Sequence, residues 1–359
     1  MKKNKNPRGI LNSIFTTIIF VFVLIGALFV GLLFLIQYFD APTAPEMHKE
    51  ILFSVESGES GASVTRRLYD ANLIRSPYFF KLLLKFKNAE NAIKIGTYKF
   101  STEMKSSEIL SVLLEGKELL LRVQIPEGSS TSKIALLLQE QKIISADDFL
   151  RTVSDPAVAK EFDIPANSLT GYLFPDTYYF PLNSSSKLVI ETMVNNFKIK
   201  LRELIPQAQF LTPEELHERV ILASIVEREY RKPEEAPLIA GVFMNRLKIR
   251  MPLQSCATVV YIITEELHKK HPTRLFETDL QLKSPYNTYL NPGLPPGPIC
   301  NPGVIALQAA ITPEPSRYLY FRLVNEKDGK HYFSETYDEH IRAAQLFTKG
   351  QCCSGSFLP

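Results

Sequence analysis

The chain has 359 residues, of which 45% are hydrophobic and 22% are charged, and its formal net charge is +3 at pH 7. A charge so close to neutral, with no long basic run after the first residues, gives no support for a nucleic-acid-binding protein. No HExxH, CxxC, GxGxxG or P-loop pattern occurs, so neither a metal centre nor a cofactor is predicted. The chain is long enough for one large domain or two modest ones.

The N-terminal segment is basic and then apolar. Four lysine and arginine side chains lie in residues 1–9, and an uncharged apolar run covers residues 10–36. A helix needs roughly 20 apolar residues to span a bilayer, so we predict a transmembrane helix at 10–36. A basic flank stays in the cytoplasm, which would export everything after a short linker at 37–50 to the periplasm. The expected protein is single-pass in the inner membrane; a cleaved signal peptide is the less favoured alternative.

Two segments of the exported part repeat each other without gaps. The first covers residues 55–74 and the second covers residues 125–144. Each predicts a strand, a Gly-Ser turn that caps a helix, and an amphipathic helix. With the strand and helix that follow it, the first copy resembles a LysM-like module that binds peptidoglycan sugars, at 51–118. The second predicts a βα module at 119–155 that bridges to the next domain. For the first copy, a packing platform for the next domain has support equal to that for sugar binding.

A long helix is predicted before Lys232–Pro233. Thr212 is a suitable N-cap, Pro213 suits the first helical position, and Glu215 completes a capping box. The stripe of apolar residues on this helix continues into Glu227 by four-three-four spacing.

Acid–base catalysis on a sugar bond needs a carboxyl group in a dry place, where it stays protonated near neutral pH. Glu227 lies on the apolar stripe, whereas Glu229 is predicted to face elsewhere. The alternative is that Glu227 forms a solvated ion pair with Arg231 one turn later.

Several motifs follow one another in the second half of the chain. They are Leu173–Tyr178, Ala223–Glu229, Val242–Leu247, Ser284–Tyr289, Gly293–Pro298, Asn301–Gly303 and His331–His340. In this order they resemble the endolytic murein transglycosylase family, also called YceG-like, over roughly residues 51–347. The resemblance implies an α+β protein with one transmembrane helix and a catalytic domain at 156–348.

The resemblance also implies a chemistry. Such an enzyme is a peptidoglycan lytic transglycosylase that cleaves between N-acetylmuramic acid and N-acetylglucosamine in nascent strands. The C6 hydroxyl of the muramic acid attacks C1, which leaves 1,6-anhydro ends and limits strand elongation. One carboxyl group can protonate the leaving oxygen and then accept the C6 proton. The resemblance assigns this role to Glu227, with Glu229 as the second choice.

The Pro- and Gly-rich run from Ser284 to Gly303 predicts a rigid loop that forms a wall of the glycan cleft, although a long structural connection is the alternative. The substrate-binding candidates are Asn245, Arg246, Gln254, Tyr286, Asn287, Tyr289 and Asn301. Asn245 could orient Glu227 or a sugar acetamido group, or it could cap a helix end.

The chain departs from the family pattern at three positions. Thr170 stands where the family has a glutamate, and Cys256 and Cys300 are unusual in their motifs. A disulfide between these two cysteines is permitted by export, and two independent small buried thiols are the alternative. Cys352 and Cys353 lie in a tail at 349–359 that we predict to be disordered and to which we assign no role.

Two rival functions remain from the sequence. A non-catalytic glycan-binding membrane scaffold would use the same anchor and modules, and the loss of the carboxylate at Thr170 favours it. A muramidase, which is a hydrolase, would need a second carboxylate across the cleft, for which Asp176 is the motif-borne candidate. The expected partners are peptidoglycan strands and the membrane, with peptidoglycan synthases or division proteins as candidate protein partners.

Overall fold

The structure is a computed structural model that describes residues 7–325 and 328–347. Helices and short strands are mixed along the chain, which confirms that part of the fold prediction. The chain divides into two compact units, one ending at Leu120 and the other beginning at Leu121. The tail predicted to be disordered, with Cys352 and Cys353, lies outside the described residues.

The first helix, α1, runs from Pro7 to Asp40. Its portion from Phe15 onward is long and apolar enough to cross a membrane, judged by length and composition, and is compatible with a membrane anchor. The helix continues past the predicted end at residue 36. The Asp40 carboxylate accepts hydrogen bonds from the backbone N–H and the hydroxyl of Ser107, both at 2.8 Å. The start of the predicted linker is therefore packed against the first unit, because Asp40 satisfies a free N–H at a helix start.

The remainder of the first unit is a strand pair covered by three helices. Its elements are β1 (Glu50–Val55), α2 (Gly61–Asp70), α3 (Pro77–Phe86), β2 (Gly96–Ser101) and α4 (Ser106–Glu115). β1 and β2 are antiparallel, with Phe53 opposite Tyr98. The alternating inward residues of both strands meet the apolar faces of the helices in one core.

The second unit is mainly helical. Its elements are β3 (Leu120–Gln124), α5 (Thr131–Glu140), α6 (Ala146–Val153), α7 (Pro156–Glu161), β4 (Thr177–Pro181), α8 (Ser186–Leu204), α9 (Pro213–Glu229), α10 (Ala236–Lys248), α11 (Cys256–Tyr261), α12 (Val304–Ile311), β5 (Tyr320–Asn325), β6 (Lys330–Ser334) and α13 (Tyr337–Phe347). β3 pairs with β4, and β5 pairs antiparallel with β6.

The internal repeat is a structural repeat. Each copy is a strand followed by two helices, and Ser60 and Ser130 cap α2 and α5 through their hydroxyl groups. The turn before each cap has a glycine at positive φ, 79° at Gly58 and 67° at Gly128. Glycine adopts this conformation without steric cost, which explains why both copies carry it. The second copy belongs to the unit that contains α9.

Helix α9 lies at the centre of the second unit and packs against α10, α11 and α12. The predicted capping box of Thr212 and Glu215 is present. The predicted single apolar stripe is wrong, because every residue from Val220 to Val226 is buried. A helix that is buried on all sides has apolar residues on every face, so its sequence does not mark one stripe.

Close packing around α9 depends on a glycine in α10. A Cβ at Gly241 would overlap the carbonyl oxygen of Glu314, which belongs to the chain that crosses α10. The backbone N–H of Glu314 in turn donates to Pro237 O at 3.0 Å. The crossing chain therefore has little freedom to move away from α10.

We expect Gly241→Ala to lower the melting temperature of the full-length protein in detergent, measured by calorimetry. Alanine favours a helix by about 1 kcal/mol over glycine. Overpacking against a fixed backbone group costs about 1–3 kcal/mol, so the clash should dominate. A higher melting temperature would contradict the close approach.

Candidate active site

Glu227 lies in the last turn of α9 and is half-buried. Its Oε2 accepts a hydrogen bond from the backbone N–H of Gly303 at 3.0 Å. The pKa of the Glu227 carboxyl is raised to about 7, mainly by burial. The Glu127 carboxylate adds to the shift, and the Gly303 N–H and Arg228 oppose it. No ion pair joins Glu227 to Arg231 among the described residues, whose ten salt bridges lie elsewhere. Glu227 is therefore a carboxyl group that carries a proton near neutral pH.

Two turns of the chain bring a second carboxylate close to Glu227. Glu127 precedes Gly128 in the turn of the second repeat copy, and a Cβ at Gly303 would overlap the Glu127 side chain. Gly128 itself lies against Glu227, since a Cβ there would be 3.2 Å from Glu227 Cγ. The two glutamates thus flank Gly303, with Glu227 half-buried and Glu127 exposed.

Asn301 holds these two turns together. Its side-chain oxygen accepts from the backbone N–H groups of Gly171 at 2.9 Å and Leu173 at 3.1 Å. Its side-chain nitrogen donates to Ser129 O at 3.1 Å, and its backbone N–H donates to the same oxygen. The backbone N–H of Gly128 donates to Asn301 O at 3.0 Å. Asn301 is fully buried, so these bonds fix the position of Gly128 relative to the loop that carries Gly303.

Glu229 occupies a different polar environment. Its Oε1 accepts a hydrogen bond from the hydroxyl of Ser255 at 2.5 Å. Burial raises the pKa of Glu229, while Ser255, His331 and Arg231 oppose the shift. The prediction that Glu229 faces away from Glu227 agrees with these separate partners. Like Glu227, Glu229 is partly buried rather than solvated.

Two clefts border these glutamates. One, here called the Glu127 cleft, is lined by residues that include Glu127, Gly128, Lys133, Arg228, Tyr261 and Cys300. The other, the Glu229 cleft, is lined by residues that include Arg228, Glu229, Arg231, His271, Arg274 and His331. The Glu127 cleft has a volume of about 290 Å³ and the Glu229 cleft about 200 Å³, both somewhat below the usual range of about 300–1,000 Å³ for ligand sites. Glu227 is not among the lining residues described; it lies beside Gly128 and Cys300, which are.

The predicted substrate-binding amides act within the protein. The side-chain nitrogen of Asn245 donates to Ser316 O and Tyr318 O, at 2.9 and 3.0 Å. The side-chain nitrogen of Asn287 donates to two carbonyls of the 280–282 segment, and Asn287 is fully buried. With Asn301, these residues have their amide groups occupied by backbone partners. In this structure they shape the loops, and direct sugar contact stays a prediction.

Arg246 is also a framework residue. It is buried, donates to Leu319 O at 2.6 Å and Leu253 O at 2.7 Å, and lies over the Tyr320 ring. Gln254 is exposed at positive φ, and its backbone N–H donates to Thr288 O. Neither residue lines the two clefts.

The predicted aromatic candidates lie closer to the clefts. The Tyr286 ring lies 4.6 Å from the ring of Tyr261, which lines the Glu127 cleft. The Tyr289 hydroxyl lies 3.2 Å from the Sγ of Cys256, which lines the Glu229 cleft. Both tyrosines therefore support a cleft wall through a neighbouring residue.

Cys256 and Cys300 are not bonded to each other, so the predicted disulfide is absent from the structure. The Sγ of Cys300 donates to Ser224 O at 3.2 Å, whereas that of Cys256 meets Tyr289. Burial raises the pKa of the Cys300 thiol, and the nearby Glu227 carboxylate raises it further. The alternative of two independent thiols is the arrangement found.

Two positions tied to the rival functions have side-chain partners other than Glu227. The Thr170 hydroxyl is 3.0 Å from that of Thr131. Asp176 accepts a hydrogen bond from Asn196 at 3.0 Å and lies near Lys200. Neither residue lines the Glu127 or the Glu229 cleft, and the recorded side-chain partners of Asp176 include Asn196 and Lys200.

Glu127 and Gly303 were not among the predicted site residues. The available signal was a difference between the repeat copies, since the turn of the second has Glu127 where the first has Ser57. A carboxylate added to an otherwise matching turn suggests a role beyond the fold. Gly303 lay within a recognised motif, but its N–H could be assigned only once its distance from Glu227 was known.

Comparison with known proteins agrees with the resemblance seen in the sequence. The YceG-like family matches residues 53–346. A Bacillus subtilis protein named endolytic murein transglycosylase is 29% identical over 322 residues, which are 85% of this chain and 87% of that protein. A Streptococcus pneumoniae protein of the same name is 29% identical over 329 residues, which are 84% of this chain and 59% of the longer relative.

A crystal structure of a YceG-like protein from Listeria monocytogenes is similar in fold. The TM-score is 0.55 and the sequence identity is 32%, with 82% of this chain and 99% of that chain covered. The family match spans most of this chain, including both glutamates that flank Gly303. The chain therefore belongs to the YceG-like family.

Proposed function

We propose that this protein is a membrane-anchored lytic transglycosylase that cleaves nascent peptidoglycan strands between N-acetylmuramic acid and N-acetylglucosamine. The observation that carries the proposal is the half-buried Glu227 carboxyl, whose pKa of about 7 suits a group that both gives and takes a proton. The relatives named endolytic murein transglycosylase support the same reaction class.

The Gly303 hydrogen bond supports an assignment of the two carboxyl oxygens. Oε2 accepts the backbone N–H, so the acidic proton belongs on Oε1. In the first step Oε1 protonates the leaving glycosidic oxygen. In the second, the resulting carboxylate accepts the proton of the C6 hydroxyl as that oxygen bonds to C1. No water enters, and the product carries a 1,6-anhydro end.

Glu127 contributes electrostatically in this scheme. Its negative charge lies close enough to raise the pKa of Glu227 and thus favours the protonated acid. A positive charge developing on the sugar ring would also be stabilised by a nearby carboxylate. Both effects need Glu127 ionised while Glu227 is neutral, and its greater exposure to water supports that order.

The muramidase alternative gains support from Glu127. A hydrolase needs a second carboxylate, about 5–9.5 Å from the first, to attack the sugar or activate water. Glu127 flanks the same glycine as Glu227, whereas the motif-borne Asp176 lies elsewhere. The product therefore distinguishes the two functions: a lytic transglycosylase leaves 1,6-anhydro ends, and a muramidase leaves reducing ends.

The remaining parts of the chain fit a protein working at the outer face of the cytoplasmic membrane. α1 would anchor it, with the basic N-terminus in the cytoplasm and both units exported. The first unit, built from a strand, a capped helix and a second strand, would serve as a LysM-like glycan-binding module.

The test is digestion of nascent, uncrosslinked glycan by the full-length protein, with products weighed by mass spectrometry. We expect 1,6-anhydro-muramic ends. Reducing ends would show a muramidase, and absence of cleavage would favour a non-catalytic scaffold. Glu227→Gln should reduce the rate by at least about 100-fold, because it removes the acid while keeping the size of the side chain.

Glu229→Gln is the matched control. It makes the same chemical change two residues away, in a side chain held by Ser255 rather than by Gly303. We expect it to retain most of the cleavage activity. Loss of activity in Glu229→Gln with retention in Glu227→Gln would exchange their roles.

We also expect kcat to fall as pH rises above about 7, because the first step needs the protonated form of Glu227. The measurement is a pH profile of cleavage between pH 5 and 9. In Glu127→Gln the basic limb should shift to lower pH, since the charge that raises the pKa of Glu227 is gone. If the basic limb of the pH profile is unchanged in Glu127→Gln, the charge of Glu127 does not raise the pKa of Glu227.

A further inference from the structure

The Glu229 cleft is rich in basic side chains. Its lining includes Arg228, Arg231, Arg274, His271 and His331. Among the described lining residues, Glu229 is the one carboxylate. A concave site with this charge distribution attracts an anion.

Within the part of the chain that the structure describes, the three arginines of this cleft have no carboxylate oxygen within 4.0 Å, and Arg274 lies over the Phe276 ring. In residues 7–325 and 328–347, the arginines with a carboxylate oxygen within 4.0 Å are Arg66, Arg67 and Arg151. Arg231 precedes helix α11 in the chain and Arg274 follows it, and both residues line the cleft. The planar guanidinium group binds carboxylates in a paired geometry, so such arginines suit a carboxylate ligand.

The acidic groups of the wall already have partners. Glu229 accepts the Ser255 hydroxyl at 2.5 Å. Glu235 Oε2 lies 2.7 Å from His331 Nδ1, and its carboxylate also accepts the His331 backbone N–H. These bonds fix the wall. The Glu229 carboxylate, whose pKa Arg231 and Arg228 also lower, offsets only part of the positive charge of the three arginines.

The Glu229 cleft adjoins the Glu127 cleft. Four residues line both, namely Arg228, Ala257, Val260 and His271. A sugar held in the Glu127 cleft would therefore direct one substituent into the Glu229 cleft. In peptidoglycan the muramic acid carries a lactyl-linked peptide, whose free carboxylates match the charge of the cleft.

We propose that the Glu229 cleft binds a carboxylate of the peptide attached to muramic acid, through Arg231 and Arg274. This inference rests on the proposed function, because it assigns the peptide of the same substrate. It makes the enzyme selective for strands that still carry peptides over strands from which the peptides have been removed.

The test measures binding separately from cleavage. Full-length Glu227→Gln protein in detergent is titrated calorimetrically with a peptide-bearing glycan tetrasaccharide, and with the same tetrasaccharide after an amidase has removed the peptides. Adding Arg231→Gln and Arg274→Gln should raise the Kd for the peptide-bearing ligand about tenfold. The Kd for the stripped ligand should change less than twofold.

The matched control adds Arg202→Gln and Arg250→Gln, two exposed arginines outside both clefts, and should leave both Kd values unchanged. Melting temperatures verify that all variants are folded. A loss below threefold for the peptide-bearing ligand, or an equal loss for the stripped ligand, would overturn the inference; the equal loss would assign the arginines to the sugar or its lactyl group.

Cleavage by the protein with Glu227 intact separates this inference from the proposed function. Peptide-selective binding without any cleavage would contradict the lyase and leave the cleft assignment standing. Cleavage, together with no effect of the Arg231 and Arg274 substitutions on binding, would support the lyase and contradict the cleft assignment.

Discussion

The hydrogen bond from the Gly303 N–H to Glu227 is the contact on which the site depends. A half-buried carboxyl is costly when ionised, and one backbone donor only partly offsets that cost. Glu227 therefore keeps a proton near neutral pH without losing access to its ionised form. A general acid that must later act as a base needs this balance.

The rest of the second unit fixes the surroundings of Glu227 that raise its pKa. α9 is buried on every side from Val220 to Val226, so the backbone that leads into Glu227 is held by packing. Asn301 ties the Gly128 turn to the loop carrying Gly303. A Cβ at Gly303 would overlap the Glu127 side chain, and one at Gly128 would be in tight contact with Glu227. The turn in the second copy of the repeat differs from the first in carrying Glu127, which lies beside Gly303.

Local sequence patterns predicted the elements well. The capping box of α9 and the two βα turns depend on neighbours in sequence, and the structure confirms them. The recognised motifs were correct about the family, as the match over residues 53–346 shows. Their individual residues were harder to assign. Asn287 in a motif can contact a sugar or a backbone carbonyl, and only its position within the fold shows that it does the latter.

Long-range proximity was the part that the sequence could not supply. Glu127 and Glu227 are separated by one hundred residues, and no periodicity links them. The apolar stripe was also misleading, because a helix buried on all sides does not distinguish one face from another. The unusual Cys256 and Cys300 both proved to lie near the clefts, yet with different partners, so shared location did not imply a bond.

The most direct test of this account is the pH dependence of stability in the protein and in Glu227→Gln, measured by chemical denaturation. Glutamine can still accept the Gly303 N–H but has no charge to bury. Because the carboxyl titrates near 4.5 when unfolded and near 7 when folded, the protein should lose stability relative to the variant as pH rises through that range. The account predicts equal stabilities at pH 4 and a variant more stable by about 3 kcal/mol at pH 8. A difference independent of pH, or a variant less stable at pH 8, would contradict it.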